Sequence, residues 1–315
     1  MPAQEDFIEQ AAPFRGELIA HCYRMLGSAQ DAEDLVQETY LRGWRGYSDF
    51  EERAALRTWL YRIATTACLR ALENRTRRVL PAGLGSGSVD PDVDVGAPTG
   101  SHQWLEPLPD TLTPETEFGV RQSVRLAVAT ALQELPARQR AVLILRDVVQ
   151  FSAAEVAELL ETTTASVNSA LQRARAHLAE VAPNEDDVPE PDDADLRALL
   201  DRYCAAFENA DLAALTDLLQ TDVRLEMPPL PVWFTGRDAV TTFLSRRAFA
   251  EPGDIAFVDT SANGRPALAE YRRADDDIFR AHSIHVITPG DRGIARMLVF
   301  LDPDLFPVFG LPATH

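Results

Sequence analysis

The sequence predicts a multidomain protein in which two all-α blocks are followed by one α+β block. Helical periodicity with recognisable helix caps fills residues 1–80 and 118–182. Strand-like runs follow two helices in residues 196–315. Between the blocks, residues 81–117 are rich in Gly, Pro and Ser, and residues 183–195 are acidic. These two stretches are predicted to be flexible linkers that bury no core.

The first block is predicted to be helical throughout. One helix begins near Ser28 to Asp31, and its inward face consists of Ala32, Leu35, Val36, Thr39 and Gly43. A second helix is expected from Ala55 to Arg75, with Leu56, Leu60, Ile63, Ala64, Ala67 and Ala71 buried. The polar side chains expected to face solvent on this helix are Arg57, Thr58, Tyr61, Arg62, Thr65 and Arg70.

The second block contains a helix–turn–helix pattern. Ser152 can cap a helix that runs to Leu160, and Thr163 can cap the next helix, which runs to Leu178. The apolar residues of this last helix recur every three or four positions and must pack inward: Val167, Leu171, Ala174 and Leu178. The simpler alternative is an ordinary helical hairpin with a solvated polar face.

The outward face of the last helix has side chains of the types that can read DNA bases. Asn168, Ser169, Gln172 and Arg173 point outward in its N-terminal half, the part that reaches base edges in the major groove. Asn and Gln can bind adenine in a bidentate manner, and Arg can bind guanine. Thr164 and Arg175 suit contacts to DNA phosphates, and Ser166 is a further candidate DNA-binding residue of this helix.

The net charge of −19 is unevenly distributed along the chain. Residues 53–80 contain seven Arg and one Glu, whereas residues 81–120 and 183–195 contain seven acidic residues each and no Arg. The acidity therefore lies in the linkers and the last block, and a basic stripe remains where DNA could bind.

Composition indicates a cytoplasmic protein without a cofactor or a metal site. No apolar run approaches the ~18–20 residues that span a bilayer, and the first residues do not form a secretion signal. Cys22, Cys68 and Cys204 lie far apart and show no metal-ligand spacing, so we expect three small buried side chains.

Two separate segments of the helical blocks resemble the sigma-70 family of RNA polymerase sigma factors, and most closely its extracytoplasmic-function class. In the first block the similar residues are Asp31–Trp44 and Leu56–Ala64, which resemble regions 2.2 to 2.4. In the second block they are Leu135–Asp147 and Ser152–Leu160, which resemble region 4. The two segments occur in the family's order.

The resemblance implies partners and site residues. Core RNA polymerase would be bound through its β′ clamp helices and its β flap, and the clamp-binding face would comprise Asp31, Asp34, Gln37, Glu38 and Leu41. Minus-ten DNA would be bound by Arg53, Arg57, Thr58, Trp59, Tyr61, Arg62, Thr65 and Arg70, although Trp59 also suits a core position. Minus-thirty-five DNA would be bound by the outward face of the helix–turn–helix.

The sequence departs from the family pattern at two places. Many relatives have Asn near Thr65 and Thr66, so the promoter preference of this chain is open. The turn of the helix–turn–helix often has Gly where this chain has Glu161, which predicts a different turn geometry.

The third block begins with two helices, Leu196–Phe207 and Asp211–Leu219. Strands are expected at Asp254–Asp259, Ala267–Arg272, His282–Thr288 and Ile294–Leu301. The segments Leu230–Arg237 and Phe300–Pro312 resemble SnoaL-like members of the NTF2-like superfamily, which form a cone around a pocket. This arrangement resembles actinobacterial sigma factors of the SigG and SigJ type, whose linker motif is comparable to Trp104–Pro107. The candidate pocket residues are Trp233, Arg237, Tyr271 and His285.

Three roles are open for this third block: regulation through protein contacts, binding of a small-molecule or lipid-like ligand, and catalysis. His282 and His285 are three apart in a strand and should face opposite sides, and no spacing requires an acid–base pair. We therefore expect a non-enzymatic sigma factor whose last block docks on the helical blocks and on the 81–117 linker and regulates in cis. The competing interpretations are a stand-alone repressor and an enzyme with a DNA-binding appendage.

Overall fold

The computed structural model describes residues 2–50, 55–73, 77–98, 104–113, 125–181, 193–249 and 251–315. The chain divides into two compact units. The N-terminal unit combines Met1–Arg78 with Leu105–Pro183, and the C-terminal unit combines Val79–Trp104 with Asn184–His315. Each unit is described separately.

The first half of the N-terminal unit is a helical bundle. Its helices are α1 (Pro2–Ala11), α2 (Arg15–Leu26), α3 (Ala29–Gly46) and α4 (Leu56–Leu72). Gly27 ends α2 in the left-handed conformation, and the Ser28 side chain caps α3 by accepting a hydrogen bond from the Asp31 amide at 3.1 Å. The predicted inward face of α3 is largely confirmed, because Ala32, Val36, Thr39 and Gly43 are buried.

The second half of the N-terminal unit is also helical. It contains α5 (Leu126–Gln133), α6 (Ala137–Leu143), α7 (Ala153–Leu159) and α8 (Thr164–Val181), and a π-helical turn at Ile144–Val148 extends α6. Ser152 and Glu155 form a capping box at the start of α7. At the start of α8 the Ser166 amide donates to the Thr163 hydroxyl at 3.1 Å. The predicted helix–turn–helix is therefore present.

A buried arginine fastens the second half of this unit to the first. Arg140 of α6 is 4% exposed, and its guanidinium donates to the Met25 carbonyl at the end of α2. It also donates to the Gln133 side chain at 2.7 Å and to the Leu135 carbonyl at 3.1 Å. A cation suits this position because the last carbonyls of a helix carry partial negative charge.

The C-terminal unit is α+β, as the sequence predicts. Its helices are α9 (Asp193–Glu208), α10 (Leu212–Leu218) and α11 (Arg237–Arg247). Its strands are β1 (Leu219–Glu226), β2 (Trp233–Thr235), β3 (Ile255–Ala262), β4 (Arg265–Arg273), β5 (Phe279–Gly290) and β6 (Gly293–Phe300). The sheet order is β2-β1-β6-β5-β4-β3, with β1 and β6 parallel and the other pairs antiparallel.

The structure differs from the expectation that residues 81–117 bury no core. Ser88 forms a bridge with Phe234 of β2: the Ser88 amide donates to the Trp233 carbonyl at 2.8 Å, and the Thr235 amide donates to the Ser88 carbonyl at 3.1 Å. Trp104, Leu105 and Leu108 are also buried. The composition of this segment alone predicts a linker. Its backbone nevertheless pairs with the edge of the sheet, and several of its apolar side chains are buried.

Residues 183–192 of the other predicted linker lie outside the described residues, whereas residues 193–195 already belong to α9 and are helical, contrary to the expectation. Within the described parts of the chain, no helix has the length and apolar composition needed to cross a membrane.

Candidate nucleic-acid interface

Helix α8 presents the predicted base-reading residues to solvent. Val167, Leu171 and Ala174 are buried, whereas Leu178 is half-buried. The four residues predicted to read bases are all exposed: Asn168, Ser169, Gln172 and Arg173. Thr164, Ser166 and Arg175 are exposed as well. The structure thus gives α8 an exposed and largely polar face of the kind that can enter a major groove.

Two arginines of α8 are held by neighbouring side chains. Arg173 donates to the Ser169 hydroxyl at 2.6 Å, one helical turn earlier. Arg175 forms a two-point ion pair with Asp147, at 2.7 and 2.8 Å, and this ion pair raises the pKa of Arg175. Arg173 is therefore oriented on the predicted base-reading face, whereas Arg175 must exchange Asp147 for a phosphate if it is to contact DNA.

The turn before α8 keeps the geometry that glycine would adopt. Glu161 lies in the left-handed region with φ of 52°, and its side chain is 81% exposed. Glu161 thus adopts the backbone conformation that glycine adopts most readily. A left-handed backbone at a glutamate is strained, because only Gly, Asn and Asp adopt it readily.

Helix α4 presents fewer polar side chains than predicted. Tyr61 is 2% exposed and Thr65 is fully buried, so the prediction that these two residues face solvent is wrong. Thr65 forms a hydrogen bond with the His21 ring at 2.9 Å. Of the other predicted minus-ten residues, Arg62 and Arg70 are exposed and Arg57, Thr58 and Trp59 are half-buried, whereas Arg53 lies outside the described residues.

The N-terminal part of α4 is tied to α2 by a charged cluster. The Arg57 guanidinium donates to both Glu17 carboxylate oxygens at 2.7 to 3.0 Å, and the Tyr61 hydroxyl donates to the same carboxylate at 3.1 Å. The hydrogen bond to Glu17 raises the pKa of Arg57. Burial, followed by the Glu17 charge, raises the pKa of Tyr61. Arg57 is therefore a permanent cation held in a fixed orientation.

Trp59 belongs to an aromatic cluster. Its ring lies 5.0 Å from the Phe50 ring and 6.5 Å from the Phe7 ring. This arrangement agrees with the core position that the sequence leaves open for Trp59, which is half-buried.

The predicted clamp-binding face of α3 borders an apolar groove. Gln37 and Leu41 line it together with Ile8 and Trp44, and the groove has a volume of about 770 Å³. Leu41 is 56% exposed and Ile8 is 62% exposed. Asp34 is exposed and Glu38 is half-buried, with Glu38 paired to Arg42 at 2.6 Å. The apolar wall contributed by α1 is a feature that the sequence reasoning missed.

Asp31, the first residue of this predicted face, is engaged within the unit. Its carboxylate accepts a hydrogen bond from Arg78 at 2.8 Å, and Arg78 also contacts Glu106 at 3.2 Å. The Glu106 carboxylate in turn accepts from the Ser28 hydroxyl at 2.7 Å and the Ala29 amide at 3.1 Å. Glu106 thus caps α3, because a carboxylate is stabilised at a helix N-terminus.

The C-terminal unit contains a buried acid–base pair that the sequence reasoning missed. The His285 ring lies 2.8 Å from the Glu270 carboxylate and 2.8 Å from the Tyr203 hydroxyl, and Ser283 contacts both His285 and Glu270. Burial raises the pKa of Glu270, but the hydrogen bond from His285 and the charges of His285 and Arg272 outweigh it, so the pKa is lowered. Glu270 is therefore a buried carboxylate that contacts His285, Ser283 and Arg272.

The candidate pocket residues are not gathered at one site. His285 lines a cavity of about 40 Å³, which Trp233, Arg237 and Tyr271 do not line. The Tyr271 hydroxyl contacts the C-terminal segment, where it donates to the Pro312 carbonyl at 3.0 Å. The Trp233 ring nitrogen donates to the Gly85 carbonyl at 2.9 Å. The prediction of a four-residue pocket is therefore wrong. The cavity has room for a few water molecules, not for a ligand that needs ~300 Å³ or more.

Three family models match the chain. Sigma-70 region 2 matches residues 12–78, Sigma-70 region 4 matches residues 125–178 and the SnoaL-like domain matches residues 200–299. The first two matches lie in the N-terminal unit, and the third lies in the C-terminal unit.

Known proteins and solved structures agree with these matches. The chain is 48% identical over 320 residues to the ECF RNA polymerase sigma factor SigG of Mycobacterium tuberculosis, with 99% of this chain and 86% of that protein covered. It is 26% identical over 175 residues to SigW of Bacillus subtilis, with 56% of this chain and 88% of SigW covered.

The crystal structure of the Mycobacterium tuberculosis extracytoplasmic function sigma factor SigJ covers 97% of this chain and all of that chain, with a TM-score of 0.60 and 24% identity, which shows a shared fold. The identity to SigG extends over nearly the whole length. The chain therefore belongs to the extracytoplasmic-function class of RNA polymerase sigma factors.

Proposed function

We propose that this chain binds core RNA polymerase in the cytoplasm and directs initiation at promoters that it reads with α4 and α8. The observation that carries the proposal is the exposed, largely polar face of α8 in a helix–turn–helix whose two helices both begin with a side-chain cap. In the proposal, α8 binds the minus-thirty-five element, and the basic residues Arg57, Arg62 and Arg70 of α4 bind the minus-ten element. This role requires no cofactor and no catalytic activity.

The groove beside α3 supports a docking site for the β′ clamp helices. An apolar groove between two helices accepts the apolar stripe of a partner helix, and acidic residues at its rim favour a basic partner. Leu41 and Trp44 provide exposed apolar surface, and Asp34 and Glu38 provide the acidic rim. A hydrophobic centre with a charged rim is typical of a specific protein interface.

A leucine-to-aspartate substitution tests this docking site. Leu41→Asp should weaken binding to core polymerase at least tenfold, because a carboxylate would be buried in an apolar contact. Leu84→Asp is a matched control, since Leu84 is 54% exposed and lies in the C-terminal unit. Co-elution with core polymerase measures the effect. Equal binding by the two variants would exclude the groove as the docking site.

We propose that the C-terminal unit regulates transcription in cis. Its sheet pairs with the segment that joins the two halves of the N-terminal unit along the chain. The cavity of about 40 Å³ favours regulation over the binding of a drug-sized ligand. The Glu270–His285 pair leaves catalysis as the weaker alternative, because the pair lies in a cavity too small for a substrate of that size.

A further inference from the structure

Within the N-terminal unit, a cavity of about 330 Å³ lies where α2 and α4 end and α6 begins. Its charged side chains are those of Arg77, Arg78, Arg140 and Glu134. Its apolar wall is formed by Leu26, Leu72, Leu135, Pro136 and Ala137. The volume falls at the lower end of the ~300–1,000 Å³ range of small-molecule sites. The cavity thus combines a basic side with an apolar side at the size of a small ligand.

Arg140 is a buried cation without a formal counter-charge. Its hydrogen-bond acceptors are three backbone carbonyls and the Gln133 side-chain amide, all of which are neutral. Its Nε is buried and forms no hydrogen bond, and no carboxylate of the described residues forms an ion pair with it. Burial lowers the pKa of Arg140 to about 10, so the guanidinium remains protonated at neutral pH. Because an uncompensated buried charge is unfavourable, an anion in the adjacent cavity would be stabilised.

A second cation of the cavity, Arg77, is held only by a partly exposed partner. Arg77 forms an ion pair with Glu134, and their side chains are 41% and 29% exposed. An ion pair of this exposure contributes only ~0–1 kcal/mol, so Arg77 can exchange Glu134 for an incoming anion at little cost. Arg78 differs, because its side chain is 7% exposed and is already held by two carboxylates. Arg77 and Arg140 are therefore the two cations that a ligand can use.

We propose that this cavity binds a nucleoside monophosphate, with the phosphate between Arg77 and Arg140 and the base against the apolar wall. Guanidinium groups bind phosphate through paired, charge-assisted hydrogen bonds. A phosphate monoester carries a charge of about −1.5 to −2 near neutral pH, which matches two arginines. Free phosphate would leave the apolar wall in contact with water, whereas a planar base would cover it. This site does not depend on the proposed roles of α4 and α8.

Isothermal titration calorimetry of the full-length chain at low ionic strength tests the site, with adenosine 5′-monophosphate (AMP) as the probe. AMP should bind at a ratio of one to one. Adenosine and inorganic phosphate should each bind about tenfold or more weakly, because each lacks one half of the contacts. No binding of AMP, or equal affinities for AMP and adenosine, would overturn the phosphate site. Equal affinities for AMP and inorganic phosphate would overturn the contact between the base and the apolar wall.

Two substitutions in the Arg77–Glu134 pair distinguish ligand binding from a structural effect. Arg77→Gln should lower the AMP affinity by about tenfold or more, because it removes one of the two cations that bind the phosphate. Glu134→Gln should raise the AMP affinity by about two- to fivefold, because the carboxylate no longer competes for Arg77. Both substitutions break the same ion pair, so a structural effect would change the affinity in the same direction. Changes in the same direction would therefore contradict the proposal.

Arg138→Gln is the matched control, because it removes the same charge from an exposed position on α6 that does not line the cavity. Its AMP affinity should equal that of the parent. Equal losses in Arg138→Gln and Arg77→Gln would show a general attraction of anions to the surface, and the site would fail. A substitution of Arg140 would also remove the contacts to Met25 and Leu135, so Arg77 and Glu134 give the cleaner test.

Discussion

His21 is a fully buried imidazole whose protonation opposes folding. Burial, followed by the charge of Arg24, lowers the pKa of His21 from 6.5 to about 3. The unfolded chain therefore binds a proton between these two pH values that the folded chain does not bind. The free energy of unfolding is therefore unaffected by His21 titration above about pH 6.5, and it falls progressively as the pH decreases from 6.5 towards 3.

We predict that lowering the pH from 6.5 to 5 removes about 1.5 kcal/mol of unfolding free energy through His21 alone. His21→Gln should remove this dependence while its amide can still form a hydrogen bond with Thr65. Urea unfolding of both proteins at the two pH values measures the difference. Identical pH dependence in the two proteins would show that His21 does not titrate in this way.

At the residue scale, the burial of Tyr61 and Thr65 could not be predicted from the helical periodicity of α4. The apolar pattern of α4 identifies the face buried against its own block, and Leu60 and Ala64 are indeed buried. Tyr61 is additionally covered by Phe151, and Thr65 by His21. Neither partner is near α4 in the sequence, so the spacing within α4 could not reveal these contacts.

At the scale of elements, residues 85–88 of the predicted 81–117 linker contact strand β2. A β-carbon added at Gly87 would lie 2.7 Å from the Trp233 ring, whereas one added at Gly85 would meet nothing within 4 Å. The Trp233 ring cannot move away freely, because its Nε1 donates to the Gly85 carbonyl. Gly87 is therefore required for the close approach of this segment to the sheet.

We predict that Gly87→Ala loosens the segment by the ~1–3 kcal/mol typical of overpacking, whereas Gly85→Ala does not. Amide hydrogen exchange at Ser88 and Thr235 should then be about 5- to 150-fold faster in Gly87→Ala. If the segment takes part in regulation, transcription from one fixed promoter should also change in Gly87→Ala and not in Gly85→Ala. Unchanged exchange in Gly87→Ala would refute the contact.

Most elements could be predicted, although α11, β1 and β2 were missed, and the pairings between elements could not be predicted. Predicted and observed helix ends agree to within a few residues, because capping residues such as Ser152 and Thr163 can be recognised in the sequence. The Glu270–His285 pair depends on the register of β4 and β5, which places Glu270 opposite Ser283 and has an irregularity at the next position. Strand register is set by tertiary packing, so the pair could not be inferred from spacing.

At the scale of the whole molecule, a segment of the C-terminal unit lies along the chain between the two parts of the N-terminal unit. Residues 79–104 leave the N-terminal unit after region 2, belong to the C-terminal unit, and return before region 4. In the proposal, a change in the contacts between this segment and the rest of the C-terminal unit changes the length of free chain that connects region 2 to region 4. This topology is the physical basis of the proposed regulation in cis.

Run-off transcription with purified core polymerase, followed by sequencing of the transcripts, tests the central claim most directly. The full-length chain should initiate at a discrete set of promoters, and Arg173→Ala should weaken discrimination at the minus-thirty-five element by about 1–3 kcal/mol. The minus-ten preference should be unchanged, because Arg173 lies on α8 and not on α4. Transcripts that are the same with and without the chain would contradict the account.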